Sequence, residues 1–337
     1  MSKNKGRLPD GLRRLVSDYK NRIIEALVLM QRSGIRMPAS SMDWVYMDIP
    51  ESGGLGGEVS YYKHGAGCEV KFSNGLIDFD FGEMGEVGGF DVWRLTIFAG
   101  DKLSDYGFSD SDSLRRCVDS LAAAGALTQS IYGQYYISSV DPLYAIDVDG
   151  RSPGDNLPLK SQDPILSLYT IHFQAADLMR ENYEKLCGKW EKNNHLGLSD
   201  RIKVKIYMSS WLGYLNVVCE GFWKLSVGDL LRECRPERFK DIIHQYDVVE
   251  ELFGRHIYEL KGFRNNLFHP RQDMRVVRDF FNRSEDRISW AHELHKEIAR
   301  FFSSYRVNCE VHCALQGRLS ELDIRQSRVR RRRQTES

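Results

Sequence analysis

The chain has 337 residues, of which 42% are hydrophobic and 28% are charged, so it is long enough for two domains with buried cores. No run approaches the roughly 18 to 20 consecutive apolar residues of a membrane span, and the basic first residues lack the apolar stretch of a secretory signal. We therefore expect a cytoplasmic protein without membrane contact.

The first 140 residues predict a small α+β domain. Residues 12–31 carry apolar side chains at three- and four-residue spacings, which is typical of an amphipathic helix. Three short segments between residues 59 and 98, CEVKF, LIDFDFG and WRLTIFA, are separated by turn-forming residues and predict a small antiparallel sheet. A helix follows over residues 110–124, with Ser109 or Ser111 as its N-cap and Gly125 beyond its end. The string QSIYGQYYIS then predicts a hairpin.

Residues 141–163 form the best linker candidate, because four of the nine prolines fall within 141–164. Beyond them, residues 164–315 predict an all-α antiparallel helical bundle with short connections. Apolar periodicity indicates helices over 165–190, 200–225, 239–253, 256–268 and 284–313. Residues 316–337 predict a basic tail without regular structure. The expected fold class is therefore an α+β domain followed by an all-α bundle.

The string FRNNLFHP carries the most functional information. In a chain of this composition, an arginine and a histidine at this spacing are expected about 0.8 times by chance, and about 0.03 times if an asparagine must follow the arginine. Pro270 disfavours helical backbone at His269, so we expect the helix to end there and His269 to turn back toward Arg264. Arg287 and His292 share the spacing but lie on an uninterrupted helix, where they diverge by about 140°.

Arg264 occupies an unusual position on its helix, near the middle of the apolar face that includes Leu260, Leu267 and Phe268. A guanidinium there requires an anionic or hydrogen-bonding partner. Glu220 on an earlier helix is the first internal candidate, and would make Arg264 a structural pair between two helices. A ligand phosphate is the other candidate, because it suits the planar guanidinium.

Together with the upstream string YLNVVCEGFWKL, FRNNLFHP resembles the signature of the HEPN superfamily, over residues 161–315. The resemblance implies a helical bundle, commonly a homodimer, in which two copies of the motif face each other across a composite RNA-cleaving site. It also implies a role in toxin–antitoxin systems or antiviral defence, with an antitoxin or regulatory protein as a further partner. Some members of the superfamily keep the fold without nuclease activity.

The resemblance and the chemistry of these residues predict a metal-independent endoribonuclease. RNA carries its own nucleophile, the 2′-hydroxyl, so we expect no metal or cofactor. Arg264 would stabilise the phosphorane, His269 would transfer protons, and Asn265 would orient the histidine or the phosphate. Further contacts to RNA phosphates are expected from Lys261, Arg271, Arg330 and Arg331.

Two other interpretations remain open. A catalytically inactive HEPN-like module that binds nucleotide or protein would keep Arg264 tied to Glu220. An immunity or antitoxin-type partner protein would carry its function in the N-terminal half.

The string HGAGCEVKFSNGLIDFDFGEMGEVGGFDVWRL resembles an uncharacterised small bacterial α+β domain, and the resemblance implies no activity. Asp78 and Asp80 point to the same side of a strand, with Asp91 and Arg94 downstream. Binding of a hard cation is one interpretation. Acidic residues that are solvated or paired with Arg94 are the other.

The seven cysteines show no paired spacing, which predicts free thiols. Cys309, His312 and Cys313 fall within one helical turn and have the chemistry of zinc ligands. A structural zinc site needs four ligands, so ordinary helix packing is the favoured interpretation and no metal site is predicted.

Overall fold

A computed structural model of the chain describes residues 8–268, 274–282 and 286–323. Within these residues, the first of two units comprises 8–152 and 313–323, and the second comprises the described part of 153–312. The division between Ser152 and Pro153 falls inside the segment 141–163. The first unit is α+β and the second is almost entirely helical, which confirms the predicted fold class.

The first unit is built around a four-stranded antiparallel sheet with the strand order β1-β2-β3-β4. Its helices and strands are α1 (Asp10–Arg32), α2 (Ser41–Tyr46), β1 (Ser52–Gly56), β2 (Val59–His64), β3 (Gly67–Phe72), β4 (Gly75–Asp80), β5 (Glu86–Val87), α3 (Val92–Ala99), α4 (Ser111–Ala123), β6 (Leu127–Gln129), β7 (Tyr135–Ile137) and β8 (Leu143–Tyr144). The predicted hairpin forms from β6 and β7, while β5 pairs with β8.

Helix α1 supplies much of the core of the first unit. The side chains that give its sequence the helical period are all fully buried: Leu12, Leu15, Tyr19, Ile23, Ala26 and Met30. The prediction of an amphipathic helix is therefore confirmed. The Tyr19 hydroxyl also donates a hydrogen bond to the Asp78 carbonyl oxygen at 2.7 Å, which ties α1 to β4.

The prediction of a strand at WRLTIFA is wrong, because this segment lies in helix α3. The Asp91 side chain accepts a hydrogen bond from the Arg94 amide at 2.8 Å and so caps the start of the helix. The buried residues Val92, Leu95 and Ala99 follow a helical spacing, not an alternating one. Helix and strand are hard to tell apart in so short an apolar run.

The N-cap of α4 is Asp110, where the sequence predicts Ser109 or Ser111. The Asp110 side chain accepts a hydrogen bond from the Ser113 amide at 2.7 Å, and Ser113 completes a capping box. The helix ends as predicted, since Gly125 follows it with a φ of 74°.

The second unit consists of seven α-helices among its described residues. They are α5 (Pro164–Ser167), α6 (Gln174–Asn193), α7 (Leu198–Lys224), α8 (Val227–Asp229), α9 (Ile243–Phe268), α10 (Met274–Phe280) and α11 (Arg287–Leu315). Leu168–Phe173 and Leu230–Cys234 are π-helical, so the predicted helix 165–190 contains a π-helical turn. Across the described parts of the chain, no helix combines the length and apolar character needed to cross a bilayer.

Two helices predicted separately, at 239–253 and 256–268, form the single helix α9 with a kink. His256 has a φ of −138° inside this helix, at the point where the sequence predicts a new helix to begin. Glu237–Ile242 forms a 3-10 turn before α9.

Helices α7 and α9 approach closely where Gly213 faces Phe268. A Cβ atom at position 213 would clash with the Phe268 ring in its present position, so a larger residue there would displace this exposed side chain. The predicted apolar face of α7 is largely confirmed by the buried residues Trp211, Leu215, Val218 and Phe222. Tyr214, which was predicted to belong to that face, is exposed.

A buried polar network fixes the start of α5. The Asp163 carboxylate accepts hydrogen bonds from the Tyr305 hydroxyl at 2.6 Å, the Arg235 Nη2 at 3.3 Å and the Ile165 amide at 2.8 Å. Arg235 Nε donates to the Tyr305 hydroxyl at 2.9 Å. The charged groups thus satisfy one another away from solvent, as buried charges must.

Candidate functional site

Arg264 is held between helix α7 and its own helix, α9. Its Nη2 lies 2.9 Å from Glu220 Oε2, so the internal partner expected from the sequence is present. Its Nη1 donates to Asn265 Oδ1 at 2.8 Å. The side chains of Arg264 and Glu220 remain 23% and 17% exposed. Arg264 Nε is buried and has no hydrogen-bond partner within the described residues.

Asn265 therefore holds the guanidinium in this structure. The sequence predicts that Asn265 orients His269 or a phosphate, and His269 lies outside the described residues. The same holds for three predicted RNA contacts, namely Arg271, Arg330 and Arg331.

The position of Arg264 on α9 differs from the prediction. The buried side chains near it are Leu260 and Phe263, and Arg264 lies at the edge of this buried face. Leu267 and Phe268, which the sequence places on the same apolar face, are exposed in the last turn of α9. This position leaves part of the guanidinium open to solvent.

A groove of about 410 Å³ lies next to Glu220, between the end of α7 and the middle of α9. It is lined by Glu220, Trp223, Lys224, Phe253, Ile257, Tyr258 and Lys261. We call it the α7–α9 groove. The kink at His256 lies within the stretch of α9 that forms one wall. Lys261, a predicted RNA contact, belongs to the lining.

The α7–α9 groove carries a positive charge. Its lining contains two lysines, Lys224 and Lys261, and one carboxylate, Glu220. The lining therefore carries a net charge of +1, and Glu220, its one carboxylate, is paired with Arg264 outside the lining. Within the described residues, neither lysine forms an ion pair. A groove of this charge attracts anions.

Trp223, Lys224 and Tyr258 were not predicted as site residues. An aromatic residue in a helix usually indicates core packing, so their exposure could not be read from periodicity. The available signal is the pairing of an aromatic residue with a lysine within one turn on each helix, Trp223 with Lys224 and Tyr258 with Lys261. Such pairing is typical of surfaces that bind nucleic acid.

Arg287 and His292, the second pair with the same spacing, do not form a site together. Arg287 Nη1 donates to the carbonyl oxygen of Asp279 at 2.5 Å. The His292 ring instead packs on Trp211, with 4.5 Å between centroids, and its Nδ1 lies 3.4 Å from Glu184. Burial lowers the pKa of His292. The divergence predicted for an uninterrupted helix is present.

In the first unit, Arg94 binds three carboxylates. Its Nε lies 2.8 Å from Asp78, its Nη2 lies 2.7 Å from Asp80, and its Nη1 lies 2.5 Å from Asp91. His64 Nε2 lies 2.8 Å from the second oxygen of Asp78. The structure therefore agrees with the second interpretation of the sequence, in which the acidic residues pair with Arg94. Asp78 and Asp80 face the same side of the strand, as predicted.

Two opposing effects set the pKa values in this cluster. Desolvation raises the pKa of Asp80, and the Arg94 charge opposes that rise. Desolvation lowers the pKa of Arg94, but Asp80, Asp91 and Asp78 outweigh it and raise the pKa overall. The arginine therefore stays charged and neutralises part of the acidic cluster.

The sequence carries residues with metal-ligand chemistry at two places. In the residues that the structure describes, no three His, Cys, Asp or Glu side chains are grouped so as to hold a metal ion. Cys309, His312 and Cys313 are buried in α11, and His312 Nε2 lies 2.8 Å from Asp155.

The comparisons with known proteins concern the first unit. A domain of unknown function (DUF6896) matches residues 12–137, which include the Arg94 cluster. This stretch is similar to that domain, and the match assigns no activity. No HEPN family, curated protein or solved structure matches the chain.

Proposed function

We propose that the chain is a metal-independent endoribonuclease that cuts RNA through attack by the 2′-hydroxyl. The observation that supports this function best is the fixed, partly accessible guanidinium of Arg264 beside a groove whose lining carries a net charge of +1. A guanidinium held in advance stabilises developing phosphate charge without reorganising during the reaction. His269 is the candidate acid–base group, five residues beyond Arg264.

The proposed reaction needs only groups on the RNA and the protein. A base, His269, accepts the 2′-hydroxyl proton as the 2′-oxygen bonds to phosphorus. Arg264 stabilises the charge on the phosphorane oxygens. The bond from phosphorus to the 5′-oxygen then breaks, and the 5′-oxygen takes up a proton from water. The products are a 2′,3′-cyclic phosphate and a 5′-hydroxyl, and DNA is not cut.

Glu220 and Asn265 act as positioning residues in this proposal. Glu220 accepts a hydrogen bond from Nη2 at 2.9 Å and Asn265 accepts one from Nη1 at 2.8 Å, so together they limit the rotation of the guanidinium. Nε is buried, so the exposed part of the guanidinium is the proposed contact for an RNA phosphate oxygen.

Analysis of the RNA ends tests this function. Wild-type protein should produce fragments with a 2′,3′-cyclic phosphate, and a single 2′-deoxy nucleotide at the cut position should abolish that cut. Cutting of the deoxy-substituted site, or fragments with a 5′-phosphate, would overturn the proposal, because neither can arise from 2′-hydroxyl attack.

The cellular role that we propose is a toxin or antiviral-defence effector, acting as a homodimer and controlled by an antitoxin or regulatory protein. The HEPN resemblance of FRNNLFHP supports this role. Expression should arrest growth, and Arg264→Ala should relieve the arrest.

A second candidate function is a catalytically inactive module that binds nucleotide or protein. The Arg264–Glu220 pair favours it, because a salt bridge between two helices can serve the fold alone. The two candidates differ in the fate of RNA, which the inactive module does not cut.

A further inference from the structure

Two strongly exposed side chains of the α7–α9 groove are aromatic. Trp223 is 73% exposed and Tyr258 is 83% exposed. Within the described residues, neither ring stacks on another aromatic ring or receives an arginine or lysine. Large rings are normally among the better buried side chains, so two open ones at a single groove point to a ligand.

The chemistry of the groove indicates which ligand. Its floor includes the half-buried apolar side chains of Phe253 and Ile257, and its edges carry Lys224 and Lys261. Flat apolar surfaces next to unpaired cations match a nucleobase attached to a phosphate backbone. Proteins that bind single strands combine these two features, because every base has a face that can stack and every nucleotide carries a charge.

We infer that the α7–α9 groove is a subsite for single-stranded RNA, in which bases stack on Trp223 and Tyr258 while Lys224 and Lys261 contact the adjoining phosphates. The inference rests on the proposed function for its choice of RNA. It adds that the substrate is unpaired at this subsite, because bases in a duplex stack on each other and do not present their faces.

A second copy of the chain is the other occupant to consider for an apolar groove. The charge of the groove opposes it. A subunit interface at this position would bury two lysines that have no carboxylate partner in the described residues, and unpaired buried ammonium groups are strongly unfavourable. Lysine is also depleted at interface cores. An anionic ligand removes this cost.

Binding of a strand that cannot be cut separates this inference from the proposed cleavage. The probe is a short fluorescein-labelled 2′-O-methyl RNA, which lacks the attacking hydroxyl, and the measurement is fluorescence anisotropy with the full chain. Trp223→Ala and Tyr258→Ala should each raise Kd roughly 5- to 150-fold, the loss expected for one stacked base. Trp223→Phe should retain most of the affinity.

The matched control is Trp190→Ala. Trp190 is an exposed tryptophan of the same unit that does not line the α7–α9 groove, so its removal should leave Kd unchanged. An abasic strand of the same length should bind weakly and be insensitive to Trp223→Ala. Lys224→Ala and Lys261→Ala should each lower the slope of log K against log salt by about 1.

Three results would overturn the inference. The first is an unchanged Kd in both aromatic variants, and the second is equal affinity for the same strand in a duplex. The third is a fall in molecular mass by light scattering in Trp223→Ala with Kd unchanged, which would make the groove a subunit interface. If none of these results is seen but the wild-type protein cuts no RNA, the proposed function is contradicted and the RNA-binding subsite is not.

Discussion

Glu220 and Arg264 meet across two helices, with 2.9 Å between Oε2 and Nη2, and Glu220 also lines the groove that carries Lys224 and Lys261. The carboxylate therefore has two effects. It orients the guanidinium, and it lowers the positive charge available to an anionic ligand.

Glu220→Gln separates these effects, because the amide keeps a hydrogen-bond acceptor and loses the charge. We expect Kd for 2′-O-methyl RNA to fall roughly fivefold. The repulsion between two unit charges about 4 Å apart in water is about 1 kcal/mol, and the substitution removes this repulsion between Glu220 and an RNA phosphate. The gain should shrink as salt screens the charge. Anisotropy at two salt concentrations measures both.

Glu251→Gln is the control for this prediction, because Glu251 forms an exposed pair with Arg255 on α9, at 2.8 Å. It should change neither Kd nor its salt dependence. Weaker RNA binding in Glu220→Gln would show that the pair serves orientation more than charge.

The buried network around Asp163 should dominate the stability of the second unit. Asp163→Ala leaves Arg235 without its carboxylate and removes the cap of α5, so we expect a loss of about 3 to 5 kcal/mol in the free energy of unfolding. Urea unfolding measures it. Asp247→Ala, which breaks an exposed pair with Arg232, should cost about 1 kcal/mol or less. Equal losses in the two variants would contradict the burial argument.

The stability of the second unit should fall in acid because of His295. Burial lowers the pKa of His295 to about 4, and its Nδ1 accepts a hydrogen bond from Trp211 Nε1 at 3.2 Å, which requires neutral imidazole. A depressed folded pKa gives stability that is present above the unfolded pKa, about 6.5, and lost as pH falls toward about 4. The loss should be about 3 kcal/mol.

His295→Gln isolates this effect. The variant should be less stable than wild type at pH 7, and the difference should narrow between pH 6.5 and 4, as read from urea unfolding by tryptophan fluorescence. A constant difference over that range would mean that His295 does not stay neutral in the fold.

Any side chain at Gly67 should destabilise the first unit. A Cβ atom there would lie 2.6 Å from the Phe79 carbonyl oxygen and would also clash with Asp80, which binds Arg94. We expect Gly67→Ala to lower the free energy of unfolding by about 1 to 3 kcal/mol through overpacking. Gly54→Ala on β1 meets no atom within 4 Å and should be neutral or slightly stabilising. Similar losses at both positions would refute the steric explanation.

The sequence predicted those features that depend on periodicity. The helix at α1 and the apolar face of α7 follow from residue spacing. Glu220 was named as a partner for Arg264 on a different ground, namely that a guanidinium on an apolar face requires an anionic or hydrogen-bonding partner. The apolar run WRLTIFA was misread because its eight-residue helix is too short to show its period and because the Asp91 cap decides its conformation. The π-helical turn at Leu168–Phe173 leaves no comparable trace in the sequence.

The sequence also predicted one part of the candidate site and missed another. Arg264 was found because the FRNNLFHP string lies within a single stretch of sequence. The α7–α9 groove was missed because it joins residues of two helices, and because the exposure of Trp223 and Tyr258 depends on how those helices pack.

Cleavage of labelled RNA in EDTA tests the central claim most directly. We predict that wild-type protein cuts the RNA. Arg264→Ala should lower the cleavage rate by about 100- to 1000-fold, and His269→Ala should lower it by a similar factor. The matched controls on α9, Arg255→Ala and His244→Ala, should cut at the wild-type rate. Cleavage that stops in EDTA, or that survives both Arg264→Ala and His269→Ala, would contradict the account.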